Sequence, residues 1–98
     1  MIIRIVKMSF QPEKLHEFMV VFNASKEKIR AFEGCQHLSL LENKEAKNVL
    51  FTYSYWENEE CLEKYRHSEL FKSTWAKTKV LFNEKPEAWS LNNLTSLI

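Results

Sequence analysis

Apolar side chains recur along this chain in two rhythms, strict alternation and a three-to-four spacing. Residues 2–10, IIRIVKMSF, place Ile2, Val6, Met8 and Phe10 on one face of an extended segment and Ile3 and Ile5 on the other. That pattern predicts a strand. Pro12 follows and suits the first turn of a helix. Leu15, Phe18, Met19, Phe22 and Ile29 then recur at helical spacing, with Glu, Lys and His between them, so an amphipathic helix is predicted over residues 12–31. Gly34, the only glycine, closes this segment, where a left-handed cap or turn is expected.

Residues 35–42, CQHLSLLE, read as a second strand, NKEAKN as a polar turn, and residues 48–56, NVLFTYSYW, as a third strand in a hairpin with the second. Asn58 is placed to cap the next helix, and Glu59 and Glu60 suit the positive end of its dipole. Leu62 and Tyr65 give that helix an apolar side. Ser68 reads as a second N-cap, so the helical region is predicted to break near His67 and restart. Leu70, Phe71, Trp75, Thr78 and Phe82 continue it to Phe82. Pro86 stops it, and residues 87–94, EAWSLNNL, read as a final short strand followed by a tail or arm.

The order β-α-β-β-α-β predicts a ferredoxin-like α+β fold, a four-stranded antiparallel sheet with the helices on one face. Such a sheet should be apolar on one side and polar on the other. The third strand is not: Val49, Phe51, Tyr53 and Tyr55 alternate with Leu50, Thr52, Ser54 and Trp56, so large side chains emerge on both faces. Aromatic residues favour strands in their own right. The simplest cover for a second apolar face is another copy of the same sheet, and a homodimer through sheet faces is expected.

Composition narrows the class. A chain of 98 residues suits one domain, here residues 1–98. A domain this size buries roughly 60–65% of the surface its unfolded chain exposes. Against that modest core, 45% of residues are apolar and 13% aromatic, an excess that must line a pocket or face another subunit. Fourteen basic and thirteen acidic residues are well mixed, for a net charge of +1. No basic stripe appears, so nucleic acid is not an expected partner. No apolar run reaches the roughly 18–20 residues of a membrane span, so no membrane partner is expected either. The N-terminus does not read as a signal peptide. Cys35 and Cys61 are then expected to be free thiols in a reducing cytoplasm, packed as small hydrophobes.

Three stretches carry a resemblance to a known family: EGCQHLSLLE after the first helix, YSYWENEECLEKYRHSELFKSTW across the third strand and the following helices, and KPEAWSL near the end. A strand ending in Trp, a capped polar turn, a helix and a Ser-x-x-Phe segment together resemble the antibiotic biosynthesis monooxygenase (ABM) domain of the dimeric α+β barrel superfamily. The resemblance spans nearly the whole chain. It implies a dimer with a pocket between sheet and helices in each protomer. It also implies an activity among those of the family, which include cofactor-independent oxidation of phenols or hydroquinones to quinones, haem degradation and isomerase-type chemistry. The haem-degrading branch carries an Asn on the first strand, a Trp in the second helix and a His further along as iron ligand. Lys7, Tyr65 and Trp75 stand at those places in this chain. All three differ, and His67, two residues from Tyr65, points elsewhere on a helix, so haem degradation is not expected.

The remaining candidates differ in the chemistry their side chains offer. His16, His37 and His67 are scattered and form no metal-ligand spacing. One glycine is too few for a phosphate-cradling loop. No metal and no cofactor are therefore expected. An unaided oxygenase needs a dry aromatic pocket, a base, and donors that hold an oxyanion. His37, mid-strand and expected on the same face as Cys35 and Ser39, carries an imidazole, a side chain suited to act as a general base. Arg66 and His67 sit at the helix break, where Arg66 could hold a phenolate or carboxylate, or pair with a neighbouring carboxylate. The catalytic candidates are thus His37, Arg66 and His67, and the substrate-binding candidates Trp56, Tyr65 and Trp75. Trp56, Tyr65 and Trp75 lie on apolar stripes that also serve packing; His16 should face solvent. The expected function is a cofactor-independent monooxygenase acting on a small aromatic or quinol-like molecule. A non-catalytic small-molecule-binding dimer and a purely structural dimer are the other readings.

Overall fold

The computed structural model describes residues 1–97. Strand β1 (Ile2–Ser9) leads through a 3-10 turn at Pro12–Lys14 into α1 (Leu15–Arg30). The hairpin β2 (Cys35–Asn43) and β3 (Ala46–Trp56) follows, then α2 (Glu59–Arg66), α3 (Glu69–Lys79) and β4 (Glu87–Asn92). The strands form one antiparallel sheet in the order β2-β3-β1-β4, with β1 between β3 and β4. This is the expected ferredoxin-like α+β arrangement.

Local chemistry accounts for the helix boundaries. The Asn58 side chain accepts a hydrogen bond from Cys61 N at 2.9 Å, and Ser68 Oγ accepts from Phe71 N at 3.1 Å. Two N-caps so close together divide the helical region at His67, as the sequence predicts. Gly34 adopts φ 86°, the left-handed conformation expected of it. A Cβ at Gly34 would also collide with Cys61, so this turn doubles as the seat on which α2 rests.

Several boundaries differ from expectation, and β4 ends at Asn92 rather than Leu94. The first helical segment begins as a 3-10 turn, and the β2–β3 turn shrinks to Lys44 and Glu45. The α3 helix stops at Lys79 rather than Phe82 because the chain there pairs with the end of β1. Gln11 N donates to Leu81 O at 3.0 Å, Asn83 N donates to Ser9 O at 3.0 Å, and Phe10 bridges Phe82. Leu81 thereby joins Met8, Phe10, Phe18 and Leu50 in the main core. A second core cluster unites Cys35, Trp56, Cys61 and Leu62 under α2.

The helices cover the sheet face that bears Val6 and Met8 of β1 with Leu50, Ser54 and Trp56 of β3. The opposite face carries Ile3 and Ile5, which register with Tyr55 and Tyr53 of β3 and with Leu91 and Trp89 of β4. In a single protomer Trp89 and Leu91 are 42% and 46% exposed.

Strand β2 contains an irregularity that moves a candidate residue. Its register slips between Cys35, opposite Trp56, and His37, opposite Tyr55. Cys35 therefore turns inward to the second core cluster, whereas His37 turns outward with Ser39. The expectation that Cys35 and His37 share a face is corrected by this bulge.

Candidate functional site

A cavity of about 360 Å³ lies between the helix-covered sheet face and the helices, bordered by members of both core clusters. Its floor includes Arg4, Val6 and Met8 of β1 and Thr52, Ser54 and Trp56 of β3. Phe18 and Phe22 of α1, Tyr65 and Arg66 of α2, and Phe71 and Trp75 of α3 close it from above, with Pro86 to Ala88 at the β4 edge. Helical periodicity explains the roof: Phe18 and Phe22, and Phe71 and Trp75, are pairs one turn apart. The rings form a continuous wall. Trp56 stacks on Tyr65 at 4.9 Å, Tyr65 meets Phe71 edge-on at 5.2 Å, and Phe71 stacks on Trp75 at 5.9 Å. Such a surface accepts a flat aromatic molecule.

Polar groups are few, and two of them are cationic. Arg4 Nη1 donates to Ser90 Oγ on β4 at 2.9 Å, and Arg66 Nη1 donates to Glu63 Oε1 one turn back on α2 at 2.9 Å. The Arg4 guanidinium is held below the usual arginine range, first by burial and then by the neighbouring Arg66 charge, with Glu63 acting in the opposite direction. The two guanidinium groups therefore share one electrostatic neighbourhood. Burial, followed by the nearby Cys35, pushes the Tyr65 phenol far above its ordinary value. Tyr65 thus stays protonated and brings a hydroxyl donor to the cavity lining. Trp56 is 1% exposed and spends its indole N–H on Ser54 Oγ at 3.0 Å, which leaves it the ring face alone.

The family model for antibiotic biosynthesis monooxygenase matches residues 1–77. This chain belongs to the ABM family. The match ends within α3, and β4 lies beyond it. Among solved structures, a conserved protein from Methanosarcina mazei Go1 is 25% identical, with a TM-score of 0.87 over 92% of this chain and 90% of its own. A Caulobacter crescentus CB15 protein described provisionally as an antibiotic biosynthesis monooxygenase is 21% identical, with a TM-score of 0.90 over 96% and 90%. A Nitrosomonas europaea protein of the same provisional description is 13% identical, with a TM-score of 0.89 over 97% and 100%. The latter two likenesses establish the shared fold. No curated protein matches the sequence.

Within this ABM protein, Trp56, Tyr65, Arg66 and Trp75 all line the cavity. His37 and His67 do not. His37 lies on the opposite sheet face, its Nε2 2.6 Å from Ser39 Oγ and its ring 4.8 Å from that of Tyr55. Tyr55 in turn shares a 3.0 Å hydrogen bond with the Tyr53 hydroxyl, which raises the Tyr53 pKa. His67 terminates α2, where Nδ1 approaches the Glu63 carbonyl at 2.8 Å while the side chain is 76% exposed. His16 is exposed on α1. Lys7 alternates to the outer face, opposite Phe51 and Glu87.

The residue that sequence reasoning missed is Arg4. Its signal was present: of the two charges in this apolar strand, Arg4 shares the parity of Val6 and Met8, whereas Lys7 shares that of Ile3 and Ile5. Among the described residues, no group of three or more His, Cys, Asp or Glu side chains is arranged to hold a metal ion. No described helix is long and apolar enough to cross a membrane. Cys35 and Cys61 are free and buried, and burial raises the Cys35 thiol pKa.

Proposed function

We propose that this ABM protein is a cofactor-independent monooxygenase that oxidises a small phenolic or quinol-like molecule in the cavity beneath α2 and α3. The observation that carries the reading is an aromatic, largely apolar chamber in which a guanidinium and a protonated phenol face the same space. The lining contains no histidine among the described residues. The acidity must then come from the substrate, its O–H made more acidic beside the Arg66 cation. The proton leaves to water at the open side of the cavity, where Arg66 is partly exposed.

The phenolate gives one electron to O₂, and the superoxide formed bonds to the ring carbon para to the oxygen. Protonation of the outer peroxide oxygen, loss of that carbon's hydrogen as a proton and cleavage of the O–O bond leave a second carbonyl on the ring and release water. Phenol plus O₂ thus yields quinone plus water, and every electron comes from the substrate. Arg66 and Tyr65 hold the substrate oxygen, while the aromatic wall from Trp56 to Trp75 lies against the ring and excludes water. His37 and His67 have no role in this step, since neither reaches the chamber.

The functional unit is a homodimer through the outer sheet faces. Ile3, Ile5, Phe51, Trp89 and Leu91 stand on the side without helices, and Tyr53, Tyr55 and His37 give it a hydrogen-bonding centre. Oxygen-electrode measurements across a panel of phenols and hydroquinones, with quinone formation followed by absorbance, test the activity. Uptake by the intact protein that falls at least about tenfold in Arg66→Gln is expected, the loss of one charge-assisted hydrogen bond. No uptake with any member of the panel sinks the reading. Ligand binding without uptake would instead support a non-catalytic binding module, the reading favoured by a lining without histidine.

A further inference from the structure

Arg4 is an anomaly on β1. The helix-side positions of that strand are otherwise Ile2, Val6 and Met8. Placing a guanidinium there takes a charge partly out of water, which is unfavourable unless something compensates. Among the described residues no carboxylate lies within ion-pair distance of it. Its one hydrogen-bond partner is the neutral Ser90 hydroxyl at 2.9 Å, which occupies one of five donors. Its charged neighbour on the cavity wall is another cation, Arg66, which is paired at 2.9 Å with Glu63 one turn back on the same helix; Glu63 favours the Arg4 charge as well, but less than burial and Arg66 oppose it. The other charged lining residue is Glu87, whose strand position registers with Lys7 on the outer face, so alternation turns its carboxylate away from the chamber. Two guanidinium groups thus border one apolar aromatic chamber, and the one nearby carboxylate, Glu63, is paired with Arg66, which leaves Arg4 without an anion of its own.

We infer that the ligand of this cavity is an aromatic carboxylate, with Arg4 as the anchor of the carboxylate group. The inference rests on the reading above and deepens it: Arg4 takes the carboxylate, which leaves Arg66 and Tyr65 for the oxygen on the reacting ring. A carboxylate matches the planar two-donor edge of a guanidinium better than a tetrahedral anion does. Ser90 fixes the Arg4 fork from the β4 side, so that its remaining donors are pre-oriented. A chamber of about 360 Å³ accommodates one or two fused rings bearing a small substituent.

Isothermal titration of the full chain with 2-naphthoate and with its neutral isostere 2-naphthamide tests the inference. The expected result is tighter binding of the acid by about 10- to 100-fold, a preference that shrinks as salt is raised. In Arg4→Gln the preference should fall by a similar factor while amide affinity stays the same. Arg4→Lys should keep part of it as a point charge, and the surface control Lys77→Gln should keep all of it. Equal affinity for acid and amide in the intact protein overturns the inference, as does failure of both to bind; neither outcome needs a variant to fold. Retention of the full preference in a folded Arg4→Gln protein also overturns it. Binding is read here without turnover. An Arg4-dependent acid preference with no oxygen uptake on the phenol panel would remove the oxygenase reading alone, and oxidation without acid preference would remove this inference alone.

Discussion

Gly34→Ala tests how the site is held in place. Gly34 sits at φ 86°, where a residue with a Cβ pays about 1–2 kcal/mol relative to glycine. A methyl group there also meets Cys61 Cβ and Sγ inside ordinary contact distance. Cys61 is buried against Trp56 and Leu62 and cannot step aside, so overpacking adds about 1–3 kcal/mol. The combined loss of about 2–5 kcal/mol corresponds to a melting temperature lower by roughly 10–25 °C for a domain of this size. Because α2 rests on this turn, Tyr65 and Arg66 should move with it, and ligand affinity should fall beyond what stability alone explains. Thermal melts followed by circular dichroism give the first quantity, and titration below the melting range gives the second. Gly34→Asn separates the causes: Asn tolerates the left-handed region but keeps the clash, so its loss should be smaller without vanishing. A Gly34→Ala protein that melts within about 3 °C of the parent would refute both the strain and the contact.

Three further outcomes are expected. Burial raises both the Tyr65 phenol and the Cys35 thiol, so the unfolded chain releases these protons first as pH rises. Stability should be at its full value below the unfolded-state values, about 8.5 for Cys and about 10 for Tyr, and should fall above them; chemical denaturation from pH 7 to 11 checks this, and a flat profile would contradict it. Tyr65→Phe should lower oxygen uptake by about tenfold, the worth of one donor to an oxyanion, while shifting the melt by only a few degrees; unchanged turnover would remove its assigned role. Ile5→Glu, at the centre of the outer face, should convert the protein to a species of 11.7 kDa by light scattering, whereas the parent should have twice that mass; an unchanged mass would place the dimer contact elsewhere.

The fold was legible because its signals are local. Alternation marked β1 and β3, and Asn58 and Ser68 declared their caps three residues ahead of the N–H groups they accept from. The cavity lining was legible where helical spacing set it, at Tyr65, Arg66 and Trp75. It failed at His37, because a single bulged residue, Gln36, exchanges the two faces of β2 without disturbing the hydrophobic pattern. The end of α3 was not legible at Phe82, because an apolar residue beyond a helix fits a helical stripe as well as it fits the strand-like pairing with Phe10. Arg4 was overlooked for another reason: its meaning depends on which side of β1 the helices cover, and only the packed chain settles that.

The three tryptophans divide between the two sides of the sheet. Trp56 is sealed and Trp75 is half-buried at the cavity, while Trp89 is exposed on the outer face, next to Ile5. Intrinsic fluorescence therefore has two separable components. Blue-edge emission should respond to a molecule entering the chamber, through the ring wall that joins Trp56 to Trp75. Red-edge emission, quenchable by iodide from Trp89, should respond to whatever covers the outer face. Occupancy and assembly can thus be followed in one unlabelled sample, and their order in time read directly.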